Sequence, residues 1–306
     1  MKRPHNIAAS VRQRLANRAR ERGETFDIVL TRYALERLLY RLGQSEHRGR
    51  FVLKGAMLFS LWADGPYRET RDLDLLGFGP NDVADLEETF RSLCALTVAD
   101  DGILFNPGTV RVETMREDRD YLGARIRLGA ALAGARLSLQ IDVGFGDAVT
   151  PAPEDITYPT LLPFPPPQIR AYPKETVIAE KYEAMVSLGM TNSRMKDFYD
   201  LWVMSSLFPF EGTSLAAAIA ATFARRQTAL PSETPLALTA AFAEDAQKEA
   251  QWLGFVRRTN PSITPPALPS VIDRLKLFLL PVSEALQKGQ AFGGTWEPNA
   301  AWHKPA

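Results

Sequence analysis

The sequence predicts an α+β protein in which a mixed, largely antiparallel sheet flanked by helices is followed by a helical C-terminal domain. Three observations carry that expectation. Short segments between 103 and 145 alternate apolar and polar residues, the signature of half-buried strands. Residues 151–173 hold eight prolines, including Pro165-Pro166-Pro167, which fit neither a helix interior nor a central strand and so mark a boundary. Beyond that boundary the apolar residues recur at helical spacings. A chain of 306 residues has material for two domains of roughly 100–200 residues each. They are placed at 1–160 and 161–306.

Taken in order, residues 7–22 and 26–42 read as helices, the second with Leu35, Leu38, Leu39 and Leu42 on one face and Gly43 as its stop. An apolar run from Phe51 leads into Lys54-Gly55-Ala56 and a helix through Trp62. A turn at Asp64-Gly65-Pro66 then precedes a strand at 71–76. A helix at 82–95 is followed by strands at 103–105, 109–115, 124–131 and 134–145. Helices are expected at 174–189, 194–208, 212–228, 236–257 and 268–288. The last aligns Val271, Leu275, Phe278 and Leu279, and the tail 289–306 has no usable periodicity.

Composition is that of an ordinary globular protein, 45% hydrophobic and 24% charged, which excludes a largely disordered or fibrous chain. Lys plus Arg (36) balance Asp plus Glu (36), so overall charge does not point to a polyanionic partner. Residues 1–50 are the exception, with twelve basic against five acidic side chains, among them Arg12, Arg14, Arg18, Arg20 and Arg22. These either contact phosphate or decorate a solvated helix. Cys94 is the single cysteine, which rules out an intramolecular disulfide and a thiolate metal cluster and fits a reducing cytoplasm. No apolar core follows Lys2 and Arg3, and no run approaches ~18 apolar residues. A cytoplasmic protein with no membrane partner is expected.

The chemistry is expected at Arg71-Asp72-Leu73-Asp74-Leu75. Strand alternation puts Leu73 and Leu75 in the core and both aspartates on the opposite face. Two adjacent carboxylates repel, and a hard divalent cation, Mg²⁺ or Mn²⁺, relieves that repulsion. In 136–145, Leu137, Leu139, Ile141, Val143 and Phe145 share one face, which leaves Asp142 on the other with Ser138 and Gln140. A solvent-facing acid on a half-exposed sheet is the alternative explanation for each. In 174–189, Val177, Ile178, Met185 and Leu188 form an apolar face with Lys181 in its middle, where it must snorkel or meet an anion. Gly189 can close that helix, and Asn192 or Ser193 can cap the next. There Asp197 and Asp200 are surface neighbours that also suit the helix dipole.

Lys54-Gly55-Ala56, Arg68 through Leu75, Ile141 through Asp147, Ala179-Glu180-Lys181-Tyr182 and Ser193 through Leu201 resemble, in that order, the motifs of the AbiEii/AbiGii toxin family of the DNA polymerase β-like nucleotidyltransferases. The resemblance spans about 51 to 205. It implies a nucleotidyltransferase fold, and catalysis by Asp72, Asp74, Asp142 and Lys181, with the three aspartates holding Mg²⁺ or Mn²⁺. It also implies an NTP bound by Lys54, Gly55, Ala56, Arg71, Lys181, Asp197 and Asp200. Further implications are a toxin role in toxin–antitoxin or abortive-infection phage defence, an antitoxin encoded nearby, and an RNA acceptor, namely the tRNA 3′ end. Ala56 stands where the family has glycine or serine, so a hydroxyl contact to the triphosphate is missing there and the backbone amides are left for phosphate. Transfer to a small-molecule or protein hydroxyl, and an inactive RNA- or protein-binding module, remain open alternatives.

Overall fold

The computed structural model describes residues 6–62, 67–118, 121–298 and 300–303. The turn expected at 64–66 and the last three residues of the tail lie outside them. The chain divides into two compact units, Met1–Gly146 with Glu154–Ala171, and Asp147–Pro153 with Tyr172–Ala306. The short piece 147–153 thus groups with the second unit and 154–171 with the first, where the sequence suggests one boundary at 160/161.

In the first unit, α1 (Ile7–Arg22) and α2 (Phe26–Gln44) lead into β1 (Phe51–Lys54) and a short helix α3 (Phe59–Trp62). They are followed by β2 (Asp72–Gly77), α4 (Val83–Ala95), β3 (Ile103–Asp118), β4 (Tyr121–Leu132), β5 (Ala135–Phe145), β6 (Glu154–Thr157) and β7 (Gln168–Ala171). The seven strands form one mixed sheet in the order β3-β4-β5-β2-β1-β7-β6. The two strands expected at 103–105 and 109–115 are one long edge strand, β3. Its register shifts between Asn106 and Arg111, around Pro107, as suits a proline that cannot donate to a ladder. Strands β6 and β7 were not expected, because they lie inside the proline-rich segment. The prolines bracket them without interrupting them, and the pair extends the sheet at its other edge.

One face of this sheet is apolar. Ala124, Ile126, Leu128 and Leu132 on β4, with Leu139, Ile141 and Val143 on β5, are all buried, and α1, α2 and α4 pack against the sheet. The aligned leucines of α2 are each at most 3% exposed. Many arginines of the first fifty residues are taken up inside the unit: Arg32 pairs with Glu24, Arg37 with Glu36, Arg41 with Asp101, Arg48 with Asp155 and Arg50 with Asp85. Those on α1 itself, such as Arg12 and Arg20, are exposed.

The second unit is mainly helical: α5 (Lys174–Leu188), α6 (Met195–Leu207), the two-residue strand β8 (Phe210–Glu211), α7 (Gly212–Arg225), α8 (Ala240–Ala243), α9 (Ala246–Thr259) and α10 (Leu268–Gln287). The single helix expected at 236–257 is broken into a 3₁₀ turn at Leu236–Leu238 and the two helices α8 and α9. Asp245 causes the second break, since its side chain accepts the Lys248 N–H at 3.0 Å and starts a new helix. Two short strands form in the described part of the tail, where no periodicity was visible. Strands β9 (Thr295–Trp296) and β10 (Trp302–His303) join β8. Trp296 is fully buried and donates its indole N–H to the Ser205 carbonyl at 2.7 Å, while the Trp302 ring stacks on Phe278.

Candidate active site

Strand alternation places the first two acids as expected. Along β2, Leu73 and Leu75 are buried while Asp72 and Asp74 are half-buried on the other face. Pairing then supplies what alternation alone cannot. Strand β2 lies parallel to β5 with Asp74 directly opposite Asp142, and Asp72 opposite Gln140. Directly opposed residues share a face across an interstrand gap of ~4.8 Å. The three carboxylates therefore converge, each offering an oxygen within 4.8 Å of the others. This donor set is all oxygen and all anionic, with no His or Cys among its members, so it fits Mg²⁺ or Mn²⁺ in preference to zinc.

The same register continues outward on both sides. Lys54 on β1 is paired with Asp74, and Arg125 on β4 is paired with Asp142. Glu113 on β3 faces Arg125 in turn, so one row across the sheet reads Lys54, Asp74, Asp142, Arg125, Glu113. Arg125 grips Asp142 in bidentate fashion, Nε to Oδ1 and Nη2 to Oδ2, both at 2.8 Å. Gln140 adds a third donor to Oδ2 at 3.2 Å. The hydrogen bonds that Arg125 donates to Asp142 push its pKa up, which secures its positive charge. Just before β2 the buried Thr70 hydroxyl donates to Asp72 Oδ1 at 2.6 Å. Sequence reading missed Arg125, Gln140 and Thr70 as supports of the carboxylates. Period-two spacing put Gln140 on the right face, but nothing local linked Arg125 to Asp142.

Gly55 is dictated by this site. It sits at φ +72° between β1 and a 3₁₀ turn, Gly55–Leu58. A Cβ added there would overlap Asp74 Oδ2 and stand 2.7 Å from Asp74 Cβ and Cγ. Only glycine brings the backbone this close to the carboxylate while occupying a left-handed conformation. Ala56 follows and is buried. Arg71, next to Asp72, precedes the strand and is exposed.

Lys181, Asp197 and Asp200 belong to the second unit, where they form a tight cluster. Lys181 Nζ on α5 meets Asp197 Oδ1 at 2.5 Å and Asp200 Oδ2 at 2.9 Å, both on α6. The lysine on the apolar face has thus found two anions, and Asp200 is only 1% exposed. Gly189 ends α5 as expected. The next helix is capped differently: Arg194 is its N-cap, and the buried Asn192 side chain instead accepts the Arg194 N–H at 2.8 Å. The neighbouring motif residues have a structural task. Asp147, Glu180 and Glu183 surround Arg226 at 3.0, 3.8 and 2.8 Å. Burial works against that guanidinium charge, but Glu180, Asp147 and Glu183 more than offset it and its pKa is raised.

Comparison with known proteins agrees with this geometry. The family described as nucleotidyl transferase AbiEii toxin, Type IV TA (toxin–antitoxin) system, matches residues 37–274. No curated protein matches the chain. The crystal structure of JHP933 from Helicobacter pylori superposes with a TM-score of 0.51 at 15% identity, over 87% of this chain and 95% of that one. A second H. pylori structure, described as a candidate nucleotidyltransferase, gives 0.51 at 15% identity over 88% and 100%. At that identity the two structures speak to the fold, which they share with this chain, and the family match speaks to the activity. With a seven-stranded mixed sheet, a cation-ready carboxylate triad and a family match over most of its length, the chain belongs to the AbiEii nucleotidyl transferase toxin family of type IV toxin–antitoxin systems.

Proposed function

We propose that the protein transfers a nucleoside monophosphate from an NTP to the terminal hydroxyl of an RNA, with the tRNA 3′ end as acceptor. The observation that carries this reading is the convergence of Asp72, Asp74 and Asp142 on one sheet face, with oxygens within 4.8 Å of one another. We assign these three as the ligands of Mg²⁺ or Mn²⁺. When bound, such ions supply Lewis-acid polarisation of the α-phosphate and a clamp on the attacking and leaving oxygens.

The chain's own residues do the rest. Thr70 fixes the Asp72 carboxylate, and Arg125 and Gln140 fix that of Asp142. A carboxylate has about four lone-pair sites, so the three donors on Asp142 leave capacity for about one further partner. We assign that capacity to the metal on the acceptor side, so that Asp142 acts as the base-orienting group and the proton of the acceptor hydroxyl passes to water. The hydroxyl oxygen forms a bond to the α-phosphorus, the bond from that phosphorus to the β-phosphate oxygen breaks, and pyrophosphate leaves. Lys54, in register with Asp74, and the backbone at Gly55 and Ala56 are assigned to the nucleotide's phosphates, as is the exposed Arg71. Assignment of Lys181, and of Asp197 and Asp200 that hold it, to the triphosphate rests on the family pattern and on the chemistry of an ammonium with anions. A neighbouring antitoxin gene, a cytoplasmic setting and a role in phage defence complete the proposal. Among the described residues no helix is long and apolar enough to cross a membrane.

The experiment is incubation with each labelled NTP, Mg²⁺ and total tRNA, beside an Asp72→Ala/Asp74→Ala control. Label on tRNA with wild type and none with the control is the expected result. No label with any NTP, or equal label in the control, would overturn the proposal. Label only on small hydroxyl compounds or on protein would replace the acceptor and keep the chemistry.

A further inference from the structure

The carboxylate face of the sheet does not stop at the metal ligands. Below the row Asp74, Asp142, Arg125 lies a second row, in which Asp72 faces Gln140, Gln140 faces Arg127, and Arg127 faces Arg111 on β3. Arg136 stands on the same face of β5, six residues before Asp142, which at ~3.3 Å per residue is about 20 Å along the strand. Between these arginines the face includes Gly129, Ser138 and Gln140, a low floor. Arg111, Arg127 and Arg136 are exposed. Among the described residues, no acid forms an ion pair with Arg111 or Arg136. Arg111 donates only to the carbonyls of its own strand, Gly108 and Val110. Arg127 pairs with Glu113 at 2.8 Å, but with side chains 47% and 59% exposed, so the pair is weak and easily exchanged.

The chain as a whole is neutral, so this concentration of guanidinium groups is local. Many arginines of the first fifty residues are held by internal acids, whereas Arg111 and Arg136 are not. We propose that the open face of β3, β4 and β5 is the track on which the acceptor lies, a single-stranded RNA end whose phosphates meet Arg111, Arg127 and Arg136 while its terminal hydroxyl reaches the carboxylates. This rests on the RNA-acceptor reading above. The 20 Å from Asp142 to Arg136 accommodates about six nucleotides at the ~3.4 Å rise of one stacked strand. Guanidinium forks suit phosphate oxygens, and a floor of small residues lets the backbone come close.

The test uses the full chain with Arg111→Gln/Arg127→Gln/Arg136→Gln, and a second variant with lysine at the same positions. Filter binding of total tRNA and of a single-stranded oligoribonucleotide is measured without NTP over a range of salt concentrations. Each lost phosphate contact removes ~0.7 from the slope of log affinity against log salt for a single strand. The glutamine variant should therefore lose about two units of slope and bind roughly 10- to 100-fold more weakly at 0.1 M salt, while the lysine variant keeps the slope. Mn²⁺ titration and thermal unfolding should match wild type. Wild-type binding with an unchanged glutamine variant would overturn the track and leave the RNA acceptor standing. Failure of the wild type to bind any RNA would overturn both.

Discussion

Replacing Gly55 by alanine isolates the link between backbone geometry and metal site. At φ +72° an alanine costs about 1–2 kcal/mol in the backbone alone, because its Cβ meets the following carbonyl. Its Cβ would also overlap Asp74 Oδ2 and crowd Cβ and Cγ at 2.7 Å, so the carboxylate must swing away by roughly 1 Å. Displacement of that size costs on the order of 10²-fold in rate, equivalent to about 2.7 kcal/mol. Gly79→Ala is the matched control. It has φ +83° and open space around the added Cβ, so it carries the backbone cost without the collision. Both variants should unfold a few degrees below wild type, but only Gly55→Ala should lose ~100-fold in nucleotidyl transfer at saturating Mg²⁺, with weakened Mn²⁺ binding by calorimetry. A folded Gly55→Ala protein with transfer within about threefold of wild type would refute the claim that this glycine sets the position of Asp74.

Arg125→Met removes the fork that holds Asp142 and should lower Mn²⁺ affinity or turnover by roughly 10- to 100-fold, with Arg125→Lys little better, because lysine cannot reproduce the bidentate grip. Unchanged titration and rate would dismiss Arg125 as a positioning residue. Lys181→Met removes the ammonium that Asp197 and Asp200 grip and should destabilise the second unit by about 3–5 kcal/mol in denaturant unfolding, whereas Lys181→Arg should cost far less. An unshifted midpoint contradicts this. Burial pushes the Cys94 thiol up to about 12, so at pH 8 it should stay unmodified by a maleimide in the native protein and react fully in denaturant. Expression of wild type, but not of the Asp72→Ala/Asp74→Ala variant, should arrest growth of a bacterial host lacking the antitoxin, and arrest by both would separate toxicity from the carboxylates.

Much of the site was legible because period-two alternation is a local property. It put Asp72 and Asp74 opposite Leu73 and Leu75, and Asp142 opposite Ile141 and Val143, and the structure agrees at each position. The parallel pairing that sets Asp74 beside Asp142 was not legible, since it joins segments 68 residues apart and depends on strand order. Arg125 and Gly55 were obscured for the same reason: their meaning lies in a neighbour on another strand. Lys181 could be read as needing an anion, and the helix pair provides two. The break at Asp245 was missed because a run of alanines and other good helix formers surrounds a residue that prefers to cap. The tail strands have no period to detect, and Trp296 and Trp302 hold them through individual ring contacts.

The central claim, addition of a nucleoside monophosphate to an RNA 3′ hydroxyl, is tested most directly by the mass of the acceptor. Purified tRNA is incubated with the protein, NTPs and Mg²⁺, with and without prior periodate oxidation of its terminal diol. The account predicts intact tRNA heavier by one or more nucleoside monophosphate units, and no change in the oxidised sample. An unchanged mass in both, or an equal gain in both, would contradict it.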